Sequence, residues 1–500
     1  MITLESFVTL KKLSVKNIRI EPKKVKASYC VENFEGMIQC FDLIYSYENT
    51  YFNTKNANDA NLASMMLAQV ALNYGLFFKT IELDGLFDKV DQKFLADMLE
   101  NTSIEILTNK LLIKNEFLKA TYDTLVPEKR KKYTQAKLEF SNNSFKDLQF
   151  IPEKEKIDEN KYAILSSGGK DSLLSYGIIK EIGEPYPIYI NESGRHWFTA
   201  INSYRYFKKV EPNTEKPWCN SDRVFNWMLK QLPFIKENHA SIRSDMYPIR
   251  LWTVAVFLFG VLPIVRKKGI GNVLIGDEYD TTIVGNTAGI KHYSGLFDQS
   301  KYFDNTLSKY YQKKGWQIHQ FSILRSLGEL LIMKILIKRY PELQEQQVSC
   351  HSAREVDGRM YPCGNCEKCR RIIGMLKALD ENPERCGYTE KQIQNGLSEL
   401  AKKSIKQLDT DASHLYHLLL EKGLLEKNEY TKKFAKKRPE IEKLRFDKER
   451  SNLEDIPKYI RKDLFQIYIQ YANEAVKRKQ NTWETILVND TFLNEKEYVI

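Results

Sequence analysis

Along the 500-residue chain the pattern of apolar and polar positions changes most abruptly between residues 162 and 182. Tyr162, Ala163, Ile164 and Leu165 form an apolar run of the length of a buried strand. The run stops at Ser166-Ser167-Gly168-Gly169, and beyond it Leu173, Leu174, Tyr176, Ile178, Ile179 and Ile182 recur at helical spacing. Strand and helix then keep alternating: a strand at 186–191, helical material from Phe198, an apolar helix over 251–266 and a strand at 272–275. This rhythm predicts an α/β fold with a doubly wound parallel sheet over residues 160–345. Residues 1–150 alternate in shorter segments, such as 37–45, and carry an amphipathic helix at 63–76, which predicts an N-terminal α+β domain. The polar stretch 142–161, with Pro152, is the expected linker, and residues 405–500 read as a C-terminal helical region with basic faces.

The glycine turn carries the first candidate chemistry. Gly168 and Gly169 let consecutive backbone N–H groups converge on one anion, and the N-terminus of the following helix adds its free N–H groups and dipole. Ser167 and Ser172 offer hydroxyl donors, and Asp171 can hold a metal ion that bridges phosphate oxygens. Ser167-Gly168-Gly169-Lys170-Asp171-Ser172 resembles the SGGxDS PP-loop of the N-type ATP pyrophosphatases, and it does not fit the GxxxxGK[ST] pattern. The resemblance implies a HUP-like fold that binds ATP with magnesium. It also implies cleavage between the α- and β-phosphates, in which a substrate oxygen is adenylated and AMP leaves when a second nucleophile arrives.

In a parallel sheet of this kind ligands bind at the carboxyl ends of the strands. Two further segments therefore fall beside the nucleotide. After the second strand stand Arg195, suited to an anion, and His196, suited to handling a proton. After the strand at 272–275, Gly276-Asp277-Glu278-Tyr279-Asp280 offers three carboxylates in four residues, read here as a metal or substrate contact.

The second strong signal is Cys350 followed by Cys363-Gly364-Asn365-Cys366-Glu367-Lys368-Cys369, which holds four of the eight cysteines. Thiolates at Cys-x2-Cys spacing form a knuckle, and four of them complete a tetrahedral set. Residues 346–400 therefore read as a four-cysteine metal segment, with structural zinc ahead of an iron–sulfur cluster. His351 adjoins the first ligand and reads as a residue behind the ligands or on the substrate side. Cys30 and Cys40 read as isolated buried or surface thiols.

Together the loop, Arg195-His196, Pro248-x-Arg250, the Gly-x-x-x-Asp segment and the cysteine cluster resemble the 7-cyano-7-deazaguanine synthase family over roughly residues 160–380. That resemblance implies a carboxylate of a deazaguanine acid as the adenylated group, with Lys170, Asp171, Arg195 and His196 as catalytic residues and Trp197 and Tyr279 as a stacking wall for the base. Asn191-Glu192-Ser193-Gly194 departs from the family's usual Asp-Tyr-Gly-Gln, and the Cys350–Cys363 spacing is longer than usual. The N- and C-terminal extensions are similar to the ATP-dependent epimerase of muramoyl-peptide precursors, which also activates a carboxylate. Synthase-like chains with extensions also occur in defence operons, where the acceptor can be a protein. A tRNA-thiolating PP-loop enzyme is a third reading, and it requires cysteines free of metal.

Composition narrows the partners. A 42% hydrophobic, 28% charged chain is that of a folded protein, and its size suggests more than one core. The net charge of +11 is dispersed along the chain, so nucleic acid is not an expected partner. The apolar run at 251–265 contains Pro263 and falls short of the roughly 18 to 20 residues of a bilayer span. The N-terminus lacks a basic segment followed by an apolar one. A cytoplasmic homo-oligomer without membrane contact is the expectation.

Overall fold

A computed structural model describes residues 2–122, 125–242, 247–403, 405 and 410–499. Strands β1 (Leu10–Glu21), β2 (Lys24–Glu32), β3 (Ile38–Ser46), β4 (Phe78–Asp84) and β5 (Lys137–Ser141) form the first sheet, with helices α1 (Ala57–Ala68) and α2 (Lys89–Ile106) packed on it. The order is β5-β4-β1-β2-β3, with β1–β4 and β4–β5 parallel and the β1–β2 and β2–β3 pairs antiparallel. Asp88 caps α2 and exchanges hydrogen bonds with Asp91, so the helix begins where the acidic pair stands.

The second sheet follows the sequence rhythm. Strand β6 (Asp158–Leu165) leads to α3 (Lys170–Ile182), β7 (Glu184–Ile188) and α4 (His196–Val210). The chain then crosses back to add β8 (Trp218–Cys219) beside β3 of the first sheet, and α5 (Ser221–Gln231) follows. Helix α6 (Val254–Lys267), β9 (Ile270–Leu274), the hairpin β10 (Gly285–Thr287) and β11 (Ile290–His292), α7 (Lys301–Lys313) and β12 (His319–Phe321) complete it. The four strands run parallel in the order β12-β9-β6-β7, so strand order reverses between β6 and β9. Both faces are covered: Ala163 and Val273 join the core that contains α6, and Ile164 and Leu274 join the core that contains α3.

Helix α6 binds the two sheets together. It is apolar almost all round, the signature of a helix buried on every side. Tyr45 of β3 and Tyr47, just beyond its end, donate to its Val256 and Gly260 carbonyls at 3.1 and 2.8 Å. A Cβ on Gly260 would lie 2.9 Å from the Tyr45 ring, so the glycine permits this approach.

Beyond β12 come α8 (Glu329–Arg339), the short α9 (Pro341–Gln344), the hairpin β13 (Arg354–Val356) and β14 (Arg359–Tyr361), α10 (Glu367–Ala378), α11 (Glu390–Leu400), α12 (Asp411–Glu421) and α13 (Glu429–Phe434). The expectation of an all-helical C-terminus is corrected here. Strands β15 (Leu444–Phe446), β16 (Ala475–Lys479) and β17 (Thr482–Ile486) form a small sheet, flanked by α14 (Lys458–Ile469) and α15 (Asp490–Asn494). The strands are short, and β16 carries Lys477, Arg478 and Lys479, so the apolar alternation is weak, and the β16–β17 turn rests on Gln480 at φ 52°. A second correction concerns Cys30 and Cys40. They stand opposite each other in the β2–β3 register and are joined as a disulfide, a pairing created by the hairpin and not legible in their spacing.

Glu105 of α2 is 3% exposed and accepts from the backbone N–H groups of Tyr293 and Gly295. Burial, opposed by these hydrogen bonds, pushes its carboxyl up to about 7. A carboxyl raised on folding contributes fully below its unfolded value near 4.5 and loses that contribution as pH rises through 7. Stability should therefore fall by about 3 kcal/mol between pH 4.5 and 7.5 from this group. Glu105→Gln should flatten the decline, measured as the melting temperature at about pH 5 and about pH 8; an equal decline in the variant would contradict the assignment.

Candidate functional site

The strand, turn and helix at residues 162–182 form as the pattern predicts, with Gly169 as the N-cap of α3. Gly168 has φ +76°, and a Cβ there would lie 2.3 Å from the Thr199 carbonyl oxygen. Only glycine therefore allows the first turn of α4 to lie against the loop. Thr199 Oγ1 donates to Ser167 O at 3.0 Å and Val348 N to Gly168 O at 3.4 Å, which fixes the turn from two sides. Among the described residues no protein acceptor meets the N–H groups of Gly169, Lys170, Asp171 or Ser172. The Ser172 hydroxyl, expected to donate to phosphate, is instead bonded to Gly169 O at 3.1 Å; Ser167 is exposed.

Lys170 turns inward. Its ammonium, 5% exposed, lies 2.6 Å from Asp171 Oδ1, 3.1 Å from Glu278 Oε2 and 3.5 Å from Glu329 Oε1. Arg371 closes the cluster at 3.0 Å from the same Glu329 oxygen, and Glu329 Oε2 meets no donor. Burial, then the adjacent Glu329, pushes the Glu278 carboxyl well up against the pull of Lys170. Burial also acts to raise Glu329, but Arg371 and then Lys170 outweigh it and hold that carboxyl below its ordinary value. This buried nest joins the glycine loop, the loop after β9, the start of α8 and α10.

The three carboxylates after β9 do not converge. Asp277 faces Arg325 at 3.4 Å, Glu278 faces Lys170, and Asp280 faces Arg450 at 3.4 Å. Each faces a different cation, so the three do not form one metal-ligand set, and the metal half of the metal-or-substrate reading is corrected. The stacking wall is not assembled either. Tyr279 is buried with Arg445 3.9 Å over its ring and its hydroxyl on Asp447, whereas Trp197 packs on Tyr204.

Arg195 opens onto a cavity of about 1370 Å³, walled by α5, residues 239–242 and 247–250, Tyr74 and Phe117 of the N-terminal part, and Cys363 and Asn365 of the knuckle. Four cationic side chains, Arg195, Lys230, Arg250 and Arg354, line it against one carboxylate, Asp222. Arg250 pairs with Asp222 at 2.8 Å and stacks 3.7 Å over Tyr247, while Arg195 has no ion-pair partner among the described residues. His196 lies just behind the wall: its Nε2 is 2.5 Å from the Tyr247 hydroxyl and its ring 4.4 Å from that of His351. Burial, with Arg250 and Lys368 nearby, pushes His196 down to about 4, so the imidazole is neutral at pH 7. The cavity lining does not include the glycine loop; the first turn of α4 stands between them.

Cys350, Cys363, Cys366 and Cys369 do converge, with all four sulfurs within 4.8 Å and three separations of 3.5–3.8 Å. Tetrahedral thiolates about 2.3 Å from a zinc ion stand about 3.8 Å apart, so the set fits a metal such as zinc. The N–H groups of Cys363 and Asn365 point at sulfurs, and Gly364 at φ +77° makes the tight turn. The long Cys350–Cys363 spacing is the β13–β14 hairpin, which docks on α4 through paired 2.9 Å hydrogen bonds between Asn202 and the Met360 backbone.

Sequence reasoning missed Glu329, Arg371, Lys230 and Arg354. Glu329 had a signal, a lone acid at the head of the apolar run Leu330-Leu331-Ile332, whereas Arg371 is masked among the basic residues of its helix. No family model, curated protein or solved structure matches the chain. Among the described residues no helix is long and apolar enough to cross a membrane.

Freshly purified protein should carry about one zinc ion per chain, and Cys366→Ser should lower that content and expose the 354–361 hairpin to proteolysis. Metal analysis showing neither zinc nor iron would overturn this.

Proposed function

We propose that the chain is an ATP-dependent, AMP-forming, carboxylate-activating enzyme of PP-loop type. The observation that carries the reading is the Gly168-Gly169 turn, with unsatisfied N–H groups at the carboxyl end of β6, where strand order reverses. Such a turn suits a phosphate chain. Zinc in the knuckle is structural in this reading, because all four positions are protein thiolates.

In the proposed reaction a substrate carboxylate oxygen attacks the α-phosphorus, the bond to the bridging oxygen of the β-phosphate breaks, and pyrophosphate leaves. A nucleophile then attacks the acyl carbon, and AMP departs with the carboxylate oxygen. The loop N–H groups and Ser167 hold the departing phosphates, and Lys170 adds charge there on leaving its nest. Asp171, 28% exposed beside the loop, would hold magnesium, which supplies charge neutralisation when bound. In this reading Arg195, at the head of α4, orients a substrate carboxylate that reaches from the cavity past the first turn of that helix to the loop, and neutral His196 beside it takes a proton.

The cavity bears on the substrate. Its volume of about 1370 Å³ exceeds the roughly 300–1,000 Å³ of ordinary small-molecule sites, and its lining is cationic. An extended acid with several anionic groups, such as a muramoyl-peptide, suits it better than a single deazaguanine acid, whose expected stacking wall is absent. The thiolation reading loses support: outside the metal set, Cys30 and Cys40 are paired, and burial pushes Cys219 and Cys386 up to about 12.

Protein, ATP and magnesium incubated with each acid, with and without ammonia, should release AMP and pyrophosphate, followed by chromatography. Asp171→Ala should abolish turnover in a folded protein, and Arg195→Ala should lower kcat/KM about 10- to 100-fold. ADP and phosphate as the main products would refute the assignment.

A further inference from the structure

We propose that Arg371 is a positioning residue for Lys170. Acting through Glu329, it sets how readily the lysine leaves its carboxylate nest to meet a phosphate. The inference rests on the nucleotide-binding reading of the glycine loop.

The geometry is specific. Glu329 Oε1 is shared by two cations, Lys170 Nζ at 3.5 Å and an Arg371 guanidinium nitrogen at 3.0 Å. The Lys170, Glu329 and Arg371 side chains are 5%, 6% and 12% exposed. If Lys170 turns to a phosphate, Glu329 keeps Arg371 and is not left as a buried, unpaired carboxylate, a state that is strongly unfavourable. Glu329 also sits in the first turn of α8, where the helix dipole favours its charge but supplies no counter-ion. Its second oxygen has no donor, so Arg371 is the only close cationic partner left to it among the described residues once the lysine departs.

Charge gives the sign of the effect. The nest sets the acid side chains of Asp171, Glu278 and Glu329 against Lys170 and Arg371, and Glu329 is the one whose charge Arg371 and Lys170 together favour. Removing Arg371 leaves the Glu329 carboxylate to Lys170 alone, which grips Lys170 harder and adds a negative charge that repels an incoming polyphosphate. Removing the Glu329 charge loosens the grip. The position of Arg371 is in turn set by the knuckle, because Cys366 caps α10 and Cys369 lies in its first turn, two residues before the arginine. The cysteine cluster thus reaches the glycine loop through one helix turn and two ion pairs.

The test is a charge-compensation cycle on the full chain with its zinc, reading KM for ATP in the AMP-release assay and zinc content in parallel. Arg371→Gln should raise KM for ATP about tenfold, within the range of coupling between linked sites. Glu329→Gln should leave KM equal or lower, the double variant should return close to wild type, and Arg371→Lys should restore most of the loss. A purely structural arginine would lower zinc content and kcat in Arg371→Gln along with any change in KM, whereas a positioning role raises KM with zinc content unchanged. If Arg371→Gln fails to fold, Glu329→Gln and Arg371→Lys still decide: a raised KM in the first, or a loss in the second as deep as a charge deletion, overturns the inference. Equal KM in Arg371→Gln and wild type overturns it as well. Wild-type protein that binds no ATP in calorimetry refutes the nucleotide-binding reading itself, and this inference falls with it.

Discussion

A buried ammonium dictates much of this structure. Lys170 stands beside a glycine turn whose backbone must stay open, and a desolvated cation there requires several carboxylates within reach. The chain recruits them from three elements far apart in sequence: the first turn of α3, the loop after β9 and the start of α8. One of them, Glu329, also pairs with Arg371 from a fourth. The loop's neighbours are thus tied to one another through charge as well as through apolar packing.

The cysteine segment acts as a bracket with two arms. Its hairpin grips α4 through Asn202, and α4 in turn lies against Gly168 at a distance no side chain would tolerate. Its helix delivers Arg371 to the opposite side of the same turn. A metal bound by the four thiolates would therefore stabilise both walls of the loop at once, although neither wall contains a ligand.

The local parts of the site were legible because their signals are local. Two adjacent glycines between an apolar run and a helical repeat mark the turn, and Cys-x2-Cys spacing marks the knuckle. Partnerships across the fold were not legible. Asp277, Glu278 and Asp280 look like one cluster in sequence, yet successive residues on an irregular loop point in different directions, and each meets a cation from a distant part of the chain. The Cys30–Cys40 pair escaped for a related reason, since register across strands follows from turn geometry, and the short, polar β16–β17 hairpin carries too little apolar alternation to be read as strands.

Helix α6 has a consequence for how the molecule comes apart. Its residues pack in a core that also contains strand residues of both large sheets, and its backbone carbonyls accept hydroxyls from Tyr45 and Tyr47. Strand β8, encoded after the glycine loop, completes the sheet encoded before it. Cutting the polar stretch before β6 would therefore not yield two modules that survive separately, since each half would expose an apolar face built to meet the other. The two sheets share one core and one completing strand, and the polar connection between them is a link in sequence without being a seam in the solid.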